Sequence, residues 1–321
     1  MVSILIPVYN RDKYIAQTIE SALNQTYTNI EVIIVDNSST DNTWKIVQVY
    51  AKKDNRIKAF QNDSNIGPVR NWKRCIDEAS GKFGKILWSD DLIAPEFIEK
   101  TLPFLQKNEE VGFVFTGTEL FTDDAAKKPI HFIGKTGIYN SKDYIKGALI
   151  GQGYPVSPAC AIFRLKDLQN NLMIQVPNKI NSDFSMHAIG NDVLIFLFTA
   201  SQYKYFAFVN EKLSFFRFHK GSISVSSNKV DLESMYHVAK EYFVNHHLDD
   251  IKLKKHFNSN LLYLKYIFQK YSNLSSIKDN YYFYSKNNSL NGIHLIYSFL
   301  KKLITDIYLF LIKRTILKDS S

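Results

Sequence analysis

The most constraining feature of the chain is the regular alternation of apolar runs with helical segments through its first 90 residues. Four runs have the length and composition of buried strands: 2–7, 31–35, 57–61 and 85–88. Three segments between them place apolar residues at helical spacing: 12–25, 41–51 and 69–79. Successive strands joined through helices need crossover connections, so this order predicts an α/β fold with a mostly parallel, Rossmann-like sheet and flanking helices.

The later sequence predicts two further strands, at 112–115 and 159–163, and a helical region from Asp231 onward. We therefore expect two domains, 1–227 and 228–321. The formal net charge is +9, and the second domain carries 14 basic against 8 acidic residues. Such an excess is typical of contact with nucleic acid, with an anionic membrane face, or of a solvated surface.

The sequence shows no sign of export. Its two cysteines, Cys75 and Cys160, have neither metal-ligand spacing nor a disulfide framework, which suits a reducing cytoplasm. The chain enters a strand directly, without the basic region and cleavage site of a secretory signal. We expect a cytoplasmic protein.

Acidic residues follow two of the predicted strands. Asp90 and Asp91 come after the fourth strand, and Asp36 closes the second. Open α/β sheets bind ligands outside the carboxyl ends of their strands, and hard divalent cations prefer carboxylate oxygens together with phosphate. The carboxylate of Asp36 is also suited to a ribose hydroxyl or a nucleobase N–H. The Asp90-Asp91 pair is also typical of a solvated turn, and Asp36 of a turn closed by side-chain-to-backbone bonds.

Three other phosphate chemistries are disfavoured by the residues present. The first turn, 7–11, has no glycine, which a dinucleotide-binding site requires, and no Walker phosphate loop is present. Ser38 stands two positions after Asp36, where a phosphatase of the haloacid dehalogenase type needs a second carboxylate.

Five ordered blocks within the first 95 residues resemble family 2 glycosyltransferases of the GT-A fold. They are Val2–Asn10, Ser21–Tyr27, Glu31–Asp41, Asn65–Gly67 with Arg70-Asn71, and Trp88–Asp91 followed by Pro95. The resemblance implies a nucleotide-diphospho-sugar donor. By the family pattern Asp36 contacts the base, commonly uracil, the backbone of Pro7 and Tyr9 lines the nucleotide pocket, and Asn65 and Arg70 lie beside the base and the phosphates.

The same resemblance implies a metal site. Ser89, Asp90 and Asp91 match the acidic motif that binds Mn²⁺ or Mg²⁺ between the two phosphates, with Asp90 as the principal ligand and Asp91 as the second candidate. Many relatives carry Asp where this chain has Trp88, so the motif is a variant. A cation there would neutralise the charge that develops on a departing diphosphate.

The second half of the chain resembles the family at two more places. Asn191-Asp192 matches an acidic pair at a helix start, with Asn191 in place of the usual Glu, and the family role of Asp192 is the general base of an inverting transfer. Two alternatives remain: Asp192 only caps the helix, or Asp183 is the base instead. Arg217 and His219 match an Arg-x-His element, and we expect both to point to one side of an extended segment, toward the diphosphate or its metal. The other histidines are assigned no role.

The C-terminal segment 293–317 is apolar but interrupted by charges, and it has no run of the roughly 20 residues that span a bilayer. Its apolar residues share one helical face, which is typical of an amphipathic helix in an anionic membrane interface or of one packed on the protein. No nucleic-acid motif is present, so we expect no nucleic-acid partner.

We therefore expect a metal-dependent inverting glycosyltransferase, hexosyl- or N-acetylhexosaminyl-transferring, that acts in the cytoplasm or at the inner membrane face. Its donor would be a UDP-sugar and its acceptor a glycan or lipid-linked glycan of the cell surface. A catalytically silent sugar-nucleotide or glycan binding protein is the alternative that the changes at Trp88 and Asn191 favour. A membrane-peripheral scaffold organised by the basic tail is the third.

Overall fold

The computed structural model describes residues 1–123, 127–151, 153–178, 180–222 and 229–260, together with Ile296 and Leu300. The chain forms two compact units, Met1–Phe243 and Val244–Ser321. The first unit thus extends beyond the boundary predicted after residue 227. Apart from Ile296 and Leu300, the predicted amphipathic tail helix lies outside the described residues. Within the described part of the chain, no helix combines the length and the hydrophobicity that crossing a membrane requires.

The strands are β1 Val2–Val8, β2 Ile30–Asp36, β3 Ile57–Gln61, β4 Phe83–Ile86, β5 Leu92–Ile93, β6 Val111–Phe121, β7 Lys127–Ile130, β8 Gly137–Asn140, β9 Ala161–Arg164 and β10 Tyr205–Arg217. The helices are α1 Ile15–Leu23, α2 Thr43–Lys53, α3 Pro68–Asp77, α4 Phe97–Lys107, α5 Ser141–Ile150, α6 Leu165–Asn171, α7 Phe184–His187, α8 Asn191–Gln202 and α9 Lys229–His247, with a 3₁₀ turn at Pro158–Cys160. Residues 251–260 are also helical. The predicted α/β architecture is therefore confirmed.

The strands form one sheet in the order β3-β2-β1-β4-β9-β6-β10-β5, with β7 beside β6 and β8 beside β10. The half built from the first 90 residues is parallel throughout, as predicted. The sheet as a whole is mixed, because β9 lies between β4 and β6 and runs antiparallel to both. Every residue of β1 and β2 is buried, which explains why these strands are continuous apolar runs rather than alternating ones.

The second half of the core is aromatic. Phe113 of β6 stacks on Phe206 of β10, with ring centroids 5.5 Å apart, and meets Phe196 of α8 edge-on at 5.0 Å. Tyr144 of α5 lies 5.2 Å from Phe196. Fully burying each such ring contributes on the order of 1.5–3 kcal/mol. This cluster fixes α8, and hence the start of α8, against the sheet.

The carboxyl ends of the strands place the predicted motifs at one edge. Val8 is paired with Asp36 at the ends of β1 and β2. β4 ends at Ile86, two residues before the predicted end, although the Leu87 amide still donates to the Leu5 carbonyl at 2.9 Å. The turn after β4 therefore lies beyond the sheet, and β5, which follows it, pairs with β10 near Arg217.

Candidate active site

A cleft of about 710 Å³ opens at the carboxyl ends of β1, β4 and β10. Its wall includes eight of the predicted site residues: Pro7, Tyr9, Asn65, Ser89, Asp90, Asp91, Asp192 and Arg217. Three predicted residues do not form part of the wall: Asp36, Arg70 and His219. Most of the site predicted from separate motifs is thus brought together in one cavity.

Asp36 is fully buried, and its carboxylate accepts hydrogen bonds from the Ser39 amide at 3.0 Å, the Ser39 hydroxyl and the Gln61 amide at 2.9 Å. Asp36 therefore closes the turn after β2, which is one of the two roles that the sequence allowed for it. The neighbouring Asn37 lines the cleft and donates to Asn65 Oδ1 at 2.8 Å. Contact of Asp36 with a nucleobase stays a prediction.

Arg70 is joined to α7 rather than to the cleft wall. Its guanidinium donates to Ser185 Oγ at 2.6 Å, and the Ser185 hydroxyl and amide both donate to Asp183. The hydrogen bond from Ser185 lowers the pKa of Asp183, which makes that carboxylate a poorer proton acceptor. Asp183 caps α7 and is absent from the cleft wall, and both facts disfavour it as the base.

Asp90 lies where three elements meet. Its Oδ2 accepts from Arg11 Nε at 3.1 Å and lies 3.0 Å from Nε2 of His219. Its main-chain carbonyl accepts from Arg217 Nε at 3.0 Å. The predicted Arg-x-His element therefore does reach the acidic turn with both side chains, although only one of them contacts the Asp90 carboxylate.

Asp91 faces the protein. Its Oδ1 accepts from the main-chain N–H of Arg217 at 2.9 Å, and its carbonyl accepts from Thr18 Oγ1 at 3.0 Å. Burial, followed by repulsion from Asp90, raises the pKa of Asp91 well above its ordinary value. Asp91 joins the acidic turn to the end of β10, so its geometry is that of a structural support.

The guanidinium of Arg217 is held on three sides. It donates to the Asp90 carbonyl, to Gln17 Oε1 at 2.6 Å and to Asp123, and it lies over the rings of Tyr14 and Phe121 at 4.8 and 4.6 Å. An extended segment of alternating basic and aromatic residues usually buries its aromatic side chains. Here Arg217 is buried, whereas Phe218 is 55% exposed and lines the cleft.

Asp192 is the second residue of α8 and lines the cleft. Its Oδ1 accepts from the amides of Gly190 at 3.1 Å and Val193 at 2.8 Å, and its Oδ2 accepts from the Tyr236 hydroxyl at 2.7 Å. Burial raises its pKa to about 6, against the opposing effect of the Tyr236 hydrogen bond. A carboxylate with this pKa is ionised near neutral pH and still basic enough to accept a proton.

Gly190 makes this arrangement sterically feasible. Its φ is +99°, and a Cβ there would lie 2.7 Å from the Ala239 side chain and 3.1 Å from the Met235 carbonyl. Because glycine has no Cβ atom, α9 can approach the start of α8 here. Asn191, in the position of the usual Glu, is fully buried and donates to the Met173 carbonyl at 2.8 Å. It is not part of the cleft wall.

Several wall residues were not predicted as site residues from the sequence. Tyr236 of α9 contacts the carboxylate of Asp192 but carries no motif of its own. Trp88 lines the cleft together with Trp72, with ring centroids 4.6 Å apart, and its Nε1 donates to Ser157 Oγ at 2.9 Å. His131, which the sequence assigned no role, also lines the cleft.

The donor set near Asp90 fits a divalent cation that is completed by its substrate. Within the described ranges, no group of three or more His, Cys, Asp or Glu side chains is arranged to hold a metal. Asp90 and His219 supply one carboxylate and one imidazole at a single point. Magnesium and manganese are commonly bound by one or two carboxylates together with phosphate oxygens and water, so Asp90, with His219 beside it, is the candidate ligand for a cation that arrives with a diphosphate.

Comparison with known proteins agrees with the resemblance. The sequence model described as "Glycosyl transferase family 2" matches residues 3–171. An uncharacterized glycosyltransferase of Haemophilus influenzae is 40% identical over 111 residues, 35% of this chain and 44% of that protein. The putative glycosyltransferase EpsH of Bacillus subtilis is 44% identical over 153 residues, 47% of this chain and 43% of the relative.

The putative teichuronic acid biosynthesis glycosyltransferase TuaG of Bacillus subtilis is 32% identical over 179 residues, 56% of this chain and 66% of TuaG. The chain thus spans less than two thirds of the length of these curated relatives. The crystal structure of S. aureus TarS 1-349 in complex with UDP-GlcNAc superposes with a TM-score of 0.63 at 20% identity, covering 83% of this chain and 73% of the TarS 1-349 chain. The fold is therefore GT-A-like, and the chain belongs to glycosyl transferase family 2.

Proposed function

We propose that the protein is an inverting glycosyltransferase that moves a sugar from a UDP-linked donor to a hydroxyl group of a cell-surface glycan. The observation that carries the proposal is the position of Asp192, a buried carboxylate with a pKa of about 6, in the same cleft as Asp90. One group is suited to take a proton and the other to bind a cation. In a single displacement at the anomeric carbon, the base would act on the incoming hydroxyl and the cation on the departing diphosphate.

Asp192 would act as the general base. At pH 7 a group with a pKa near 6 is about nine-tenths ionised. Its Oδ2 accepts one hydrogen bond, from Tyr236, and a carboxylate oxygen has a second lone pair for the acceptor hydroxyl. As that hydroxyl oxygen bonds to C1, its proton passes to Asp192 and the bond from C1 to the diphosphate oxygen breaks, with inversion at C1.

The leaving group would be stabilised at the acidic turn, which lines the same cleft. Asp90 and His219 would hold Mn²⁺ or Mg²⁺, which when bound neutralises the charge developing on the diphosphate. Arg217 keeps Asp90 in place by donating to the Asp90 carbonyl, and the Asp91 carboxylate holds Arg217 by accepting from its main-chain N–H. The role of these two residues is therefore to hold the acidic turn against the end of β10.

The donor and acceptor classes draw support from relatives and from the wall of the cleft. TarS has been crystallised with UDP-GlcNAc, and TuaG is described as a teichuronic acid biosynthesis enzyme, so a UDP-sugar and a polysaccharide acceptor are the first choices here. Trp72 and Trp88 supply an apolar surface suited to the face of a sugar ring. We place the reaction in the cytoplasm or on the inner membrane face, with the basic C-terminal region as the membrane contact.

A catalytically silent binding protein is the second candidate, and Trp88 favours it because it replaces a carboxylate in the acidic motif. Asn191 argues less for it, because its side chain is buried away from the cleft. Release of UDP from a panel of UDP-sugars with Mn²⁺ and mixed glycan acceptors separates the two functions. An enzyme releases UDP, and a binding protein binds the sugar nucleotide without releasing it.

The catalytic proposal is tested with Asp192→Asn and with Asp183→Asn as its matched control. We expect Asp192→Asn to lower transfer by about 100-fold or more while binding of UDP and Mn²⁺ is retained. Asp183→Asn should retain most transfer. Unchanged turnover in Asp192→Asn would remove this residue as the base. Co-sedimentation with anionic vesicles, with and without residues 293–321, tests the membrane contact.

A further inference from the structure

We propose that Arg11 is a resident cation that occupies the Asp90 carboxylate in the nucleotide-free protein, and that it makes metal binding depend on the nucleotide diphosphate. The inference rests on the proposed function and concerns how the same site is filled. It assigns a role to a side chain that lies between the recognised motif blocks of the sequence.

Arg11 already covers one side of the Asp90 carboxylate. Its Nε lies 3.1 Å from Asp90 Oδ2, the same oxygen that lies 3.0 Å from His219 Nε2. A divalent cation binds a carboxylate oxygen at about 2.0–2.2 Å. The guanidinium and a metal ion therefore cannot both contact this oxygen from the side that Arg11 covers, and repulsion between the two positive charges adds to the steric conflict.

The Arg11 side chain is held in this position by neutral acceptors as well. It donates to the carbonyls of Asn10 at 3.0 Å and Gly221 at 3.1 Å, so it bridges the loop after β1 and the turn after β10. Its own amide donates to Thr43 Oγ1 at 2.7 Å. The backbone of residue 11 is thus fixed, whereas the guanidinium contacts Asp90 and the carbonyls of Tyr9, Asn10 and Gly221, which it can exchange for other acceptors.

A diphosphate is the ligand best suited to draw Arg11 away. Arg11 and Arg217 are the two arginines on the cleft wall in the described part of the chain. Arg217 is held by Gln17 and Asp123 and is buried, whereas the Arg11 side chain is 21% exposed. Guanidinium groups bind phosphate oxygens in a bidentate manner. An incoming diphosphate therefore offers Arg11 a new partner and supplies the oxygens that complete the metal site.

The test is the affinity for Mn²⁺ alone, measured by the electron paramagnetic resonance signal of free Mn²⁺, with and without UDP. The variants are Arg11→Met, which removes the charge, Arg11→Gln, which keeps hydrogen-bonding capacity, and Lys13→Met as the matched control. Lys13→Met removes an equal charge from an exposed side chain two positions away. Thermal unfolding of each variant checks that it is folded.

We expect wild type and Lys13→Met to bind Mn²⁺ weakly without UDP and tightly with it. Both Arg11 variants should bind Mn²⁺ on the order of tenfold more tightly than wild type without UDP, so that the gain on adding UDP becomes smaller. Asp90→Asn added to Arg11→Met should abolish the new binding. Equal nucleotide-free affinity in wild type and both Arg11 variants, with UDP-dependent binding intact, overturns the role of Arg11 and leaves the proposed function standing. If no protein binds Mn²⁺ even with UDP, the metal site itself is refuted, and the inference with it.

Discussion

The hydroxyl of Tyr236 donates a 2.7 Å hydrogen bond to Oδ2 of Asp192, linking α9 to the first turn of α8 across 44 positions of sequence. The bond favours the ionised carboxylate and so lowers the pKa of Asp192, whereas burial raises it by more, to about 6. Tyr236 is therefore a positioning residue for the proposed base, which it holds in place and keeps ionised at neutral pH.

Replacing Tyr236 by Phe should move the acid limb of the pH profile to higher pH. A base must be ionised, so kcat/KM in wild type should fall as pH drops through about 6. Without the hydroxyl the pKa of Asp192 rises, and activity at pH 6 should fall more than activity at pH 8. Tyr50→Phe is the control, because that hydroxyl bonds to Glu20 between α1 and α2. A uniform loss at every pH would mean that Tyr236 acts on folding or on geometry alone.

Asp90 and Asp91 should differ in their effect on metal binding, although they are adjacent in sequence. Asp90 Oδ2 lies 3.0 Å from His219 Nε2, whereas Asp91 Oδ1 accepts from the Arg217 amide. We expect Asp90→Asn to abolish UDP-dependent binding of Mn²⁺. Asp91→Asn keeps an oxygen that can accept from the Arg217 N–H, so this variant should retain UDP-dependent binding of Mn²⁺. Calorimetry with Mn²⁺ in the presence of UDP measures both variants. Loss of binding in Asp91→Asn alone would make Asp91 the metal ligand.

The sequence predicts the parts of this site that depend on local signals. β1 and β2 are buried and mainly apolar, so the strand ends at Pro7 and Asp36 are found by pattern alone, although only Pro7 lines the cleft. Tyr236 and Trp72 are different. Each lies within a helix where aromatic residues are ordinary, and only the approach of a distant element brings them to the cleft. A helical pattern shows which residues share a face but does not identify what that face contacts.

The unpredicted strands have a similar explanation. β7 is exposed along most of its length, and β8 alternates between exposed and half-buried residues, so neither has the apolar run that marks a strand. Both form through pairing with longer strands: β7 pairs with β6, which directly precedes it, and β8 pairs with β10, which is distant in sequence. The sheet is mixed because β9, like β5, β7 and β8, runs antiparallel to its neighbours. The direction of β9 is a property of the tertiary connection and leaves no mark in its four residues.

Trp88 should contribute to binding of the sugar rather than of the nucleotide. Its ring lies 4.6 Å from that of Trp72 on the cleft wall. Loss of an aromatic contact of this kind costs about 0.5–1.5 kcal/mol beyond the area buried, or roughly three- to tenfold in affinity. We expect Trp88→Ala to weaken binding of the UDP-sugar by that factor and to leave UDP binding nearly unchanged. Trp88→Phe should keep most of the affinity for the UDP-sugar. Equal weakening of both ligands in calorimetry would argue against a sugar contact.

Glu31 should control stability in acid. Burial raises its pKa, but hydrogen bonds from Lys58, Ser3 and Ser80 outweigh this effect and lower it from 4.5 to about 2. A carboxylate with a depressed folded-state pKa stabilises the fold above pH 4.5, and this contribution is lost as pH falls toward 2. Glu31→Gln should therefore lower the free energy of unfolding at pH 7 by about 1–3 kcal/mol, and the difference from wild type should shrink at pH 3. Urea denaturation at the two pH values measures this, with Glu211→Gln, which removes an exposed ion pair with Lys100, as a control expected to change little. A constant difference between pH 7 and pH 3 would show that the ionisation of Glu31 does not contribute to stability.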